Sequence, residues 1–138
     1  MKKVVVCGCF DLLHPGHLFF FKEAKKHGDW LTVLVARDAH SVREHGLVFD
    51  ELTRKQMVSE LKIVDEAVLG DSEDKIEGVL KLKPDVIVLG YDQKFDVVAL
   101  EKAIKEKGLM TKVVRLDKAF HPDEYKSRII KQKLKELV

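Results

Sequence analysis

Apolar and polar residues alternate along this chain in blocks that predict strands and helices in turn. Five short apolar runs predict buried β-strands, at residues 4–9, 30–36, 67–69, 86–89 and 112–116. Longer segments with apolar residues at helical spacing predict five helices, at residues 15–27, 51–62, 74–83, 95–107 and 123–137. Each strand is therefore followed by a segment of helical pattern.

This alternation predicts an α/β fold, in which helices cover both faces of a parallel sheet. We expect a single Rossmann-like domain over residues 1–138, with a five-stranded parallel sheet. Ligands of such sheets bind outside the carboxyl ends of the strands. Three glycine-bearing or polar segments follow predicted strands, at residues 8–11, 36–38 and 90–93, and they should converge on one crevice.

Composition narrows the classes of partner. The 46% of apolar residues can supply a core at this length. The formal charge is only +2, from 25 basic and 23 acidic residues, which gives no support for a nucleic acid or a membrane surface as partner. No segment approaches the roughly 20 apolar residues that a membrane span needs.

The two cysteines, Cys7 and Cys9, are predicted to be buried or site-lining thiols. Together with His14 and His17 they could suggest a metal site, but their spacing fits no common zinc pattern. Free thiols suit a reducing compartment, so we expect a cytoplasmic protein.

The stretch His14-Pro15-Gly16-His17 is the most informative part of the chain, because two imidazoles bracket a glycine where a strand gives way to a helix. Free main-chain N–H groups and the helix dipole at such a point attract anions. Gly16 has no Cβ and lets a phosphate approach closely, and Pro15 suits the first helical position. The residues alone therefore predict a site for nucleotide phosphates.

Residues 8–17, which read GCFDLLHPGH, resemble the signature of the cytidylyltransferase-like nucleotidyltransferases. Segments 64–68, 90–95 and 125–130 are similar to that family in the same order along the chain. Within the family the chain is similar to the archaeal FAD synthases. These enzymes transfer AMP from ATP to FMN and release pyrophosphate.

The resemblance implies that His14 and His17 are catalytic residues, which stabilise the α-phosphoryl group and the departing pyrophosphate. It implies that Ser127 and Arg128 bind the β- and γ-phosphates. Mg²⁺ or another divalent cation would accompany the triphosphate, with no metal site made by protein side chains alone. The full set of predicted nucleotide-binding residues is Cys9, Phe10, His14, Pro15, Gly16, His17, Asp92, Tyr125, Ser127 and Arg128.

The acceptor is less well defined. The candidate acceptor-binding residues are Asp11, Arg37, Arg43 and Arg54. Asp11 could instead cap the turn that follows it, or orient a cationic side chain or Mg²⁺ near the phosphates. The chain departs from the family pattern at Cys9, where threonine is usual, and in residues 41–46, where a lysine is usual and none is found.

Three functions therefore stay open. The first is transfer of AMP from ATP to FMN. The second is a cytidylyltransferase that uses CTP and glycerol 3-phosphate or another phosphoalcohol. The third is a nucleotide-binding sensor without catalysis, which the presence of both His14 and His17 argues against.

Three consecutive phenylalanines, Phe19, Phe20 and Phe21, cannot all face one core, because neighbouring positions on a helix are about 100° apart. At least one ring should point elsewhere. We therefore predict a homodimer with part of this run in its interface.

Overall fold

The computed structural model describes residues 1–41, 46–71 and 73–138. Over these residues it contains one parallel sheet with the strand order β3-β2-β1-β4-β5. The strands are β1 (Lys3–Gly8), β2 (Trp30–Val35), β3 (Glu66–Leu69), β4 (Val86–Leu89) and β5 (Lys112–Arg115). The predicted α/β fold with a five-stranded parallel sheet is confirmed.

The helices alternate with these strands and complete the predicted pattern. They are α1 (Pro15–Lys25), α2 (Glu51–Ser59), α3 (Lys75–Leu80), α4 (Val97–Glu106) and α5 (Ser127–Leu137). A short 3₁₀ turn, Asp38–His40, lies between β2 and α2. Within the described ranges, no helix is long and apolar enough to cross a membrane.

Two hydrophobic clusters cover the two faces of the sheet, because successive strand residues point to opposite sides. On β1, Val4 and Val6 join the cluster that contains α1 and α2 residues, such as Phe21 and Val58. Val5 on the same strand joins the cluster of α3 and α4 residues. The sheet is thus buried on both faces, as its continuous apolar strands predicted.

The last helix differs most from its prediction, which started it at residue 123. It begins at Ser127, and the residues before it form a turn in which Tyr125 N–H donates to the carbonyl of His121. His121 has a φ of 45°, a left-handed conformation that interrupts helical geometry. Ser127 is therefore the first residue of α5, at its amino end.

Candidate active site

A cleft of about 760 Å³ lies at the carboxyl ends of the strands. The segments that follow β1, β2 and β4 all contribute to its lining, as do the residues that follow β3 and β5. β1 lies between β2 and β4, which is where the direction of the chain across the sheet reverses. The three segments predicted to converge on one crevice are therefore brought together.

His14 and His17 form a reciprocal cap at the start of α1. The main-chain N–H of Gly16 donates to His14 Nδ1 at 3.0 Å, and that of His14 donates to His17 Nδ1 at 3.2 Å. The ring centroids of the two imidazoles are 3.8 Å apart, and both residues line the cleft. The pair is thus held in one arrangement by its own turn.

This arrangement changes which groups can bind an anion. The sequence predicted free main-chain N–H groups here, but those of His14 and Gly16 are already bonded to the imidazoles. Because each Nδ1 accepts a hydrogen bond, each ring in its neutral form carries its proton on Nε2. In the neutral form the one N–H donor of each imidazole is therefore its Nε2–H group. Burial also lowers the pKa of His14, which favours the neutral ring.

Phe10 sits in the loop between β1 and α1 with a φ of 53°, a conformation that bulky residues rarely adopt. Its buried ring packs edge-on against His17 and Phe21, with centroid distances of 5.4 and 5.1 Å. This packing fixes the loop that leads into the histidine turn. Backbone strain of this kind is concentrated at functional sites.

Gly16 allows the segment before α5 to approach the start of α1. A Cβ on Gly16 would lie 2.7 Å from the main-chain oxygen of Tyr125 and 2.8 Å from the ring of His14. A side chain at this position would therefore require the backbone or the imidazole to move. The two helix starts, with His14 and His17 on one and Ser127 and Arg128 on the other, lie close together and form two walls of the cleft.

Among the five α-helices of the described chain, only α5 starts without a hydrogen bond from its first-turn N–H groups to the N-cap side chain. Lys126 occupies that N-cap position, and its ammonium group pairs with the carboxylate of Asp92 across the cleft. Ser127 and Arg128 follow it in the first turn and line the cleft. An uncapped helix start with an adjacent arginine is suited to bind phosphate oxygens.

The loop after β4, which contains Asp92, is held in place by two side chains. Gln93 accepts from the N–H of Gly90 at 3.0 Å and donates to the carbonyl of Cys7 at 2.8 Å. Arg115 donates to the carbonyls of Gly90 and Gln93, at 2.8 and 2.9 Å. Asp92 therefore projects from a rigid loop, but its carboxylate is already paired with Lys126.

Arg54 does not line the cleft, which contradicts the prediction that it contacts the acceptor. Its side chain is completely buried and donates to the carbonyls of Cys9 and Phe49, at 2.7 and 3.1 Å. Its Nη2 donates to the carboxylate of Asp38 at 2.7 Å. These bonds hold the β1–α1 loop against the residues around α2. Arg54 therefore stabilises the loop that leads into the histidine turn.

Asp11 lines the cleft, but its carboxylate accepts hydrogen bonds from protein groups. It receives the N–H groups of Val48 and Phe49, at 2.8 and 2.9 Å, and the ammonium of Lys131 at 2.7 Å. Burial alone raises the pKa of Asp11, but the bonds from Lys131 and the two amides outweigh it and lower the pKa. Of the roles considered for Asp11, the structure shows the orientation of a cationic side chain.

Of the three remaining candidate residues, only one is described as lining the cleft. Arg37 lines the cleft while its guanidinium donates to the carbonyl of Gly70 at 2.8 Å and to Glu51 at 3.1 Å. Pro15 is exposed at the first position of α1 and is not among the residues that line the cleft. Arg43 lies outside the described residues.

Both cysteines are buried free thiols that line the cleft. Burial raises the pKa of Cys7 to about 11, so this thiol stays protonated at neutral pH. Cys9 Sγ lies 3.7 Å from the buried guanidinium of Arg54. In the described ranges no group of three or more histidine, cysteine or acidic residues could hold a metal ion.

The three phenylalanines of α1 all find contacts within the chain. Phe21 is completely buried, Phe20 packs against the same cluster, and the ring of Phe19 stacks on Phe120 at a centroid distance of 5.8 Å. Phe120 in turn stacks on Tyr125, also at 5.8 Å. The run therefore lines the cleft and the core, and it no longer requires a second subunit.

Sequence reasoning missed Lys131 and Gln93. Lys131 gave no signal, because it is one of several basic residues on a helix whose lysines usually face solvent. Gln93 lay within the GYDQ segment, but its role depends on a hydrogen bond to Cys7, 86 residues away. Contacts of that range are invisible to a reading of local pattern.

Comparison with known proteins agrees with this geometry. A model of the cytidylyltransferase-like family matches residues 5–133. The FAD synthase of Thermoplasma volcanium is 44% identical over 140 residues, which is 100% of this chain and 97% of that protein. The FAD synthase of Archaeoglobus profundus is 47% identical over 134 residues, 96% of this chain and 86% of that protein.

Solved structures show the same fold. The crystal structure of a protein from Thermoplasma volcanium, described as a lipopolysaccharide core biosynthesis protein, is 45% identical with a TM-score of 0.80, covering 87% of this chain and 98% of that one. Pantothenate synthetase from Thermus thermophilus, at 13% identity and a TM-score of 0.60, covers 96% of this chain and 64% of its own and shares the fold. The chain belongs to the cytidylyltransferase-like family.

Proposed function

We propose that this protein transfers AMP from ATP to FMN, with FAD and pyrophosphate as products. The observation that carries the proposal is the likeness to FAD synthases over nearly the full length of both chains, at 44 and 47% identity. The cleft supports the proposal, because it is lined by the imidazoles of His14 and His17 and by the start of α5. That helix start has no side-chain cap and carries Arg128 in its first turn.

In the proposed reaction a phosphate oxygen of FMN attacks the α-phosphorus of ATP. A bond forms between them as the bond from the α-phosphorus to the bridging oxygen breaks, and that oxygen leaves with pyrophosphate. The attacking oxygen is already ionised, so no strong base is needed. The protein must hold the two groups in line and stabilise the charge that develops.

We assign the starts of α1 and α5 to different phosphate groups of the nucleotide. His14 and His17 would donate from Nε2 to the α-phosphoryl oxygens and to the departing pyrophosphate. Ser127 and Arg128 would hold the β- and γ-phosphates at the amino end of α5. We assign Asp92 and Tyr125 to contacts with the nucleoside and the phosphates, since both line the same cleft.

A divalent cation is proposed to arrive with the triphosphate. Asp11 and Asp92 are carboxylates of the cleft, but each is already bonded to a lysine. This donor set fits Mg²⁺, which is commonly held by phosphate oxygens and water with few protein ligands. When bound, the cation would neutralise charge on the triphosphate.

Arg37 lines the cleft beyond β2, and we propose that it binds the phosphate of the acceptor.

We also propose a cytoplasmic location, because the buried thiols Cys7 and Cys9 suit a reducing compartment. A homodimer is kept as a separate proposal. The mass of the protein in solution at micromolar concentration tests the homodimer, and a monomeric mass would contradict it.

The substrate pair is tested by pyrophosphate release from the purified protein. ATP and CTP are each offered with FMN and with glycerol 3-phosphate, and we expect turnover with ATP and FMN. Turnover only with CTP and the phosphoalcohol would make the protein a cytidylyltransferase. Tight nucleotide binding without pyrophosphate from any pair would indicate a sensor.

A further inference from the structure

Lys131 is a buried lysine on α5 that the proposed chemistry does not use. It is 7% exposed, whereas the charged residues that follow it on the helix are exposed. Its ammonium donates to Asp11 Oδ2 at 2.7 Å and to the carbonyl of Gly46 at 2.8 Å. Lysines are almost never buried without such partners.

The partners of Lys131 belong to two different loops. Asp11 lies in the β1–α1 loop, and its carboxylate also accepts the N–H groups of Val48 and Phe49. Gly46 lies in the segment that leads to α2. One ammonium group therefore joins α5 to both loops beside the cleft.

Stability alone is a weak reason for this ion pair. Removing two charges from water is costly, and buried ion pairs can often be replaced by apolar residues at little or no cost in stability. The position of the pair suggests another reason. Lys131 lies four residues after Ser127, about one helical turn, and Asp11 lies three residues before His14. The ion pair thus connects the two walls of the cleft.

We propose that Lys131 is a positioning residue for the transfer reaction, which holds the start of α5 in register with the histidine turn. The inference rests on the proposed function, since it assigns the two walls to one triphosphate. In-line transfer depends on this spacing, and a misplacement of about 1 Å can reduce a rate by about 100-fold. Lys131 acts through Asp11 and Gly46 without touching the substrate.

Lys131→Met tests the proposal, with Lys133→Met as the matched control, because Lys133 is an exposed lysine on the same helix. We expect kcat to fall by about tenfold or more in Lys131→Met, while the KM values for both substrates change by less than about threefold. The control should keep the wild-type kcat. Assays run well below the melting temperature of each variant, so that only folded protein is compared.

Lys131→Gln serves if the methionine variant does not fold, since the amide keeps a hydrogen-bond donor without the charge. The same fall in kcat is expected. A wild-type kcat in any folded variant that lacks the ammonium would overturn the proposal. Every variant is assayed with the substrate pair that the wild type turns over, so failure of wild-type turnover with ATP and FMN would count against the proposed function alone.

Discussion

Gly16 is a residue at which the two walls of the cleft are in close contact. In Gly16→Ala the new Cβ would lie 2.7 Å from the carbonyl oxygen of Tyr125 and 2.8 Å from the ring of His14, so the start of α1 must shift or both of these neighbours must move. We expect kcat to fall by about tenfold or more, because transfer depends on the spacing of the walls. Steady-state kinetics, with a melting curve to show that the variant is folded, measure this. An unchanged kcat would mean that the spacing is not critical.

Single residues also mark what a sequence can and cannot reveal. The histidine turn was identifiable because it depends on a local pattern, in which a short turn caps its own helix. Arg54 was misjudged because an arginine near a phosphate site and a buried arginine that supports a loop have the same local pattern. Only the fold shows that the side chain is completely buried and bonded to the carbonyls of Cys9 and Phe49.

At the scale of elements, α5 is assigned to binding the triphosphate through its first turn. We expect Arg128→Met to raise the KM for ATP by about tenfold or more while leaving the KM for FMN nearly unchanged, since a charge-assisted hydrogen bond contributes about 1.5 to 3 kcal/mol. Initial rates at varied ATP and varied FMN measure both constants.

Lys133→Met is the control for Arg128→Met, because it removes a positive charge from the same helix at an exposed position. It should leave both KM values unchanged. Equal effects of the two variants, or a larger effect of Arg128→Met on FMN than on ATP, would contradict the assignment of α5.

The elements themselves were largely predictable, and their ends were less so. Strand β1 was clear from its apolar run, since a strand buried on both faces leaves a continuous hydrophobic pattern. The start of α5 was placed four residues early, because residues 123–126 have a helical composition. That composition gives no signal of the left-handed conformation of His121 or of the turn that follows it, in which the ring of His121 packs edge-on against Phe120 and Tyr125.

At the scale of the whole molecule, acid should weaken the fold through Asp11. Its pKa is lower in the folded protein than in the unfolded chain, so its carboxylate contributes stability above its unfolded pKa, near 4. That contribution is lost as the pH falls through the lower, folded value. We expect the free energy of unfolding to decrease below about pH 4, as measured by denaturant titration.

Asp11→Asn removes this titration and is the comparison for the acid effect. The variant should be less stable than the wild type at neutral pH, because Lys131 then lacks a charged partner. The difference in stability should narrow as the pH falls. A constant difference from neutral pH to about pH 2 would show that Asp11 does not titrate with folding.

The α/β architecture followed from the sequence because the alternation of strands and helices and the burial of the strands are properties of the pattern itself. The interior of the site did not, since the pairs that build it are far apart along the chain. Lys131 and Asp11 are 120 residues apart, and Arg54 and Cys9 are 45 apart. Local motifs identified the histidine turn, and the bonds that support it became visible only in the fold.

The most direct test of the central claim is the formation of FAD from ATP and FMN, followed by chromatography, in the wild type and in His14→Asn/His17→Asn. We predict FAD formation by the wild type and a loss of about 100-fold or more in kcat for the double variant, because both imidazole donors to the transition state are removed. Turnover by the folded double variant within a few-fold of the wild type would contradict the account.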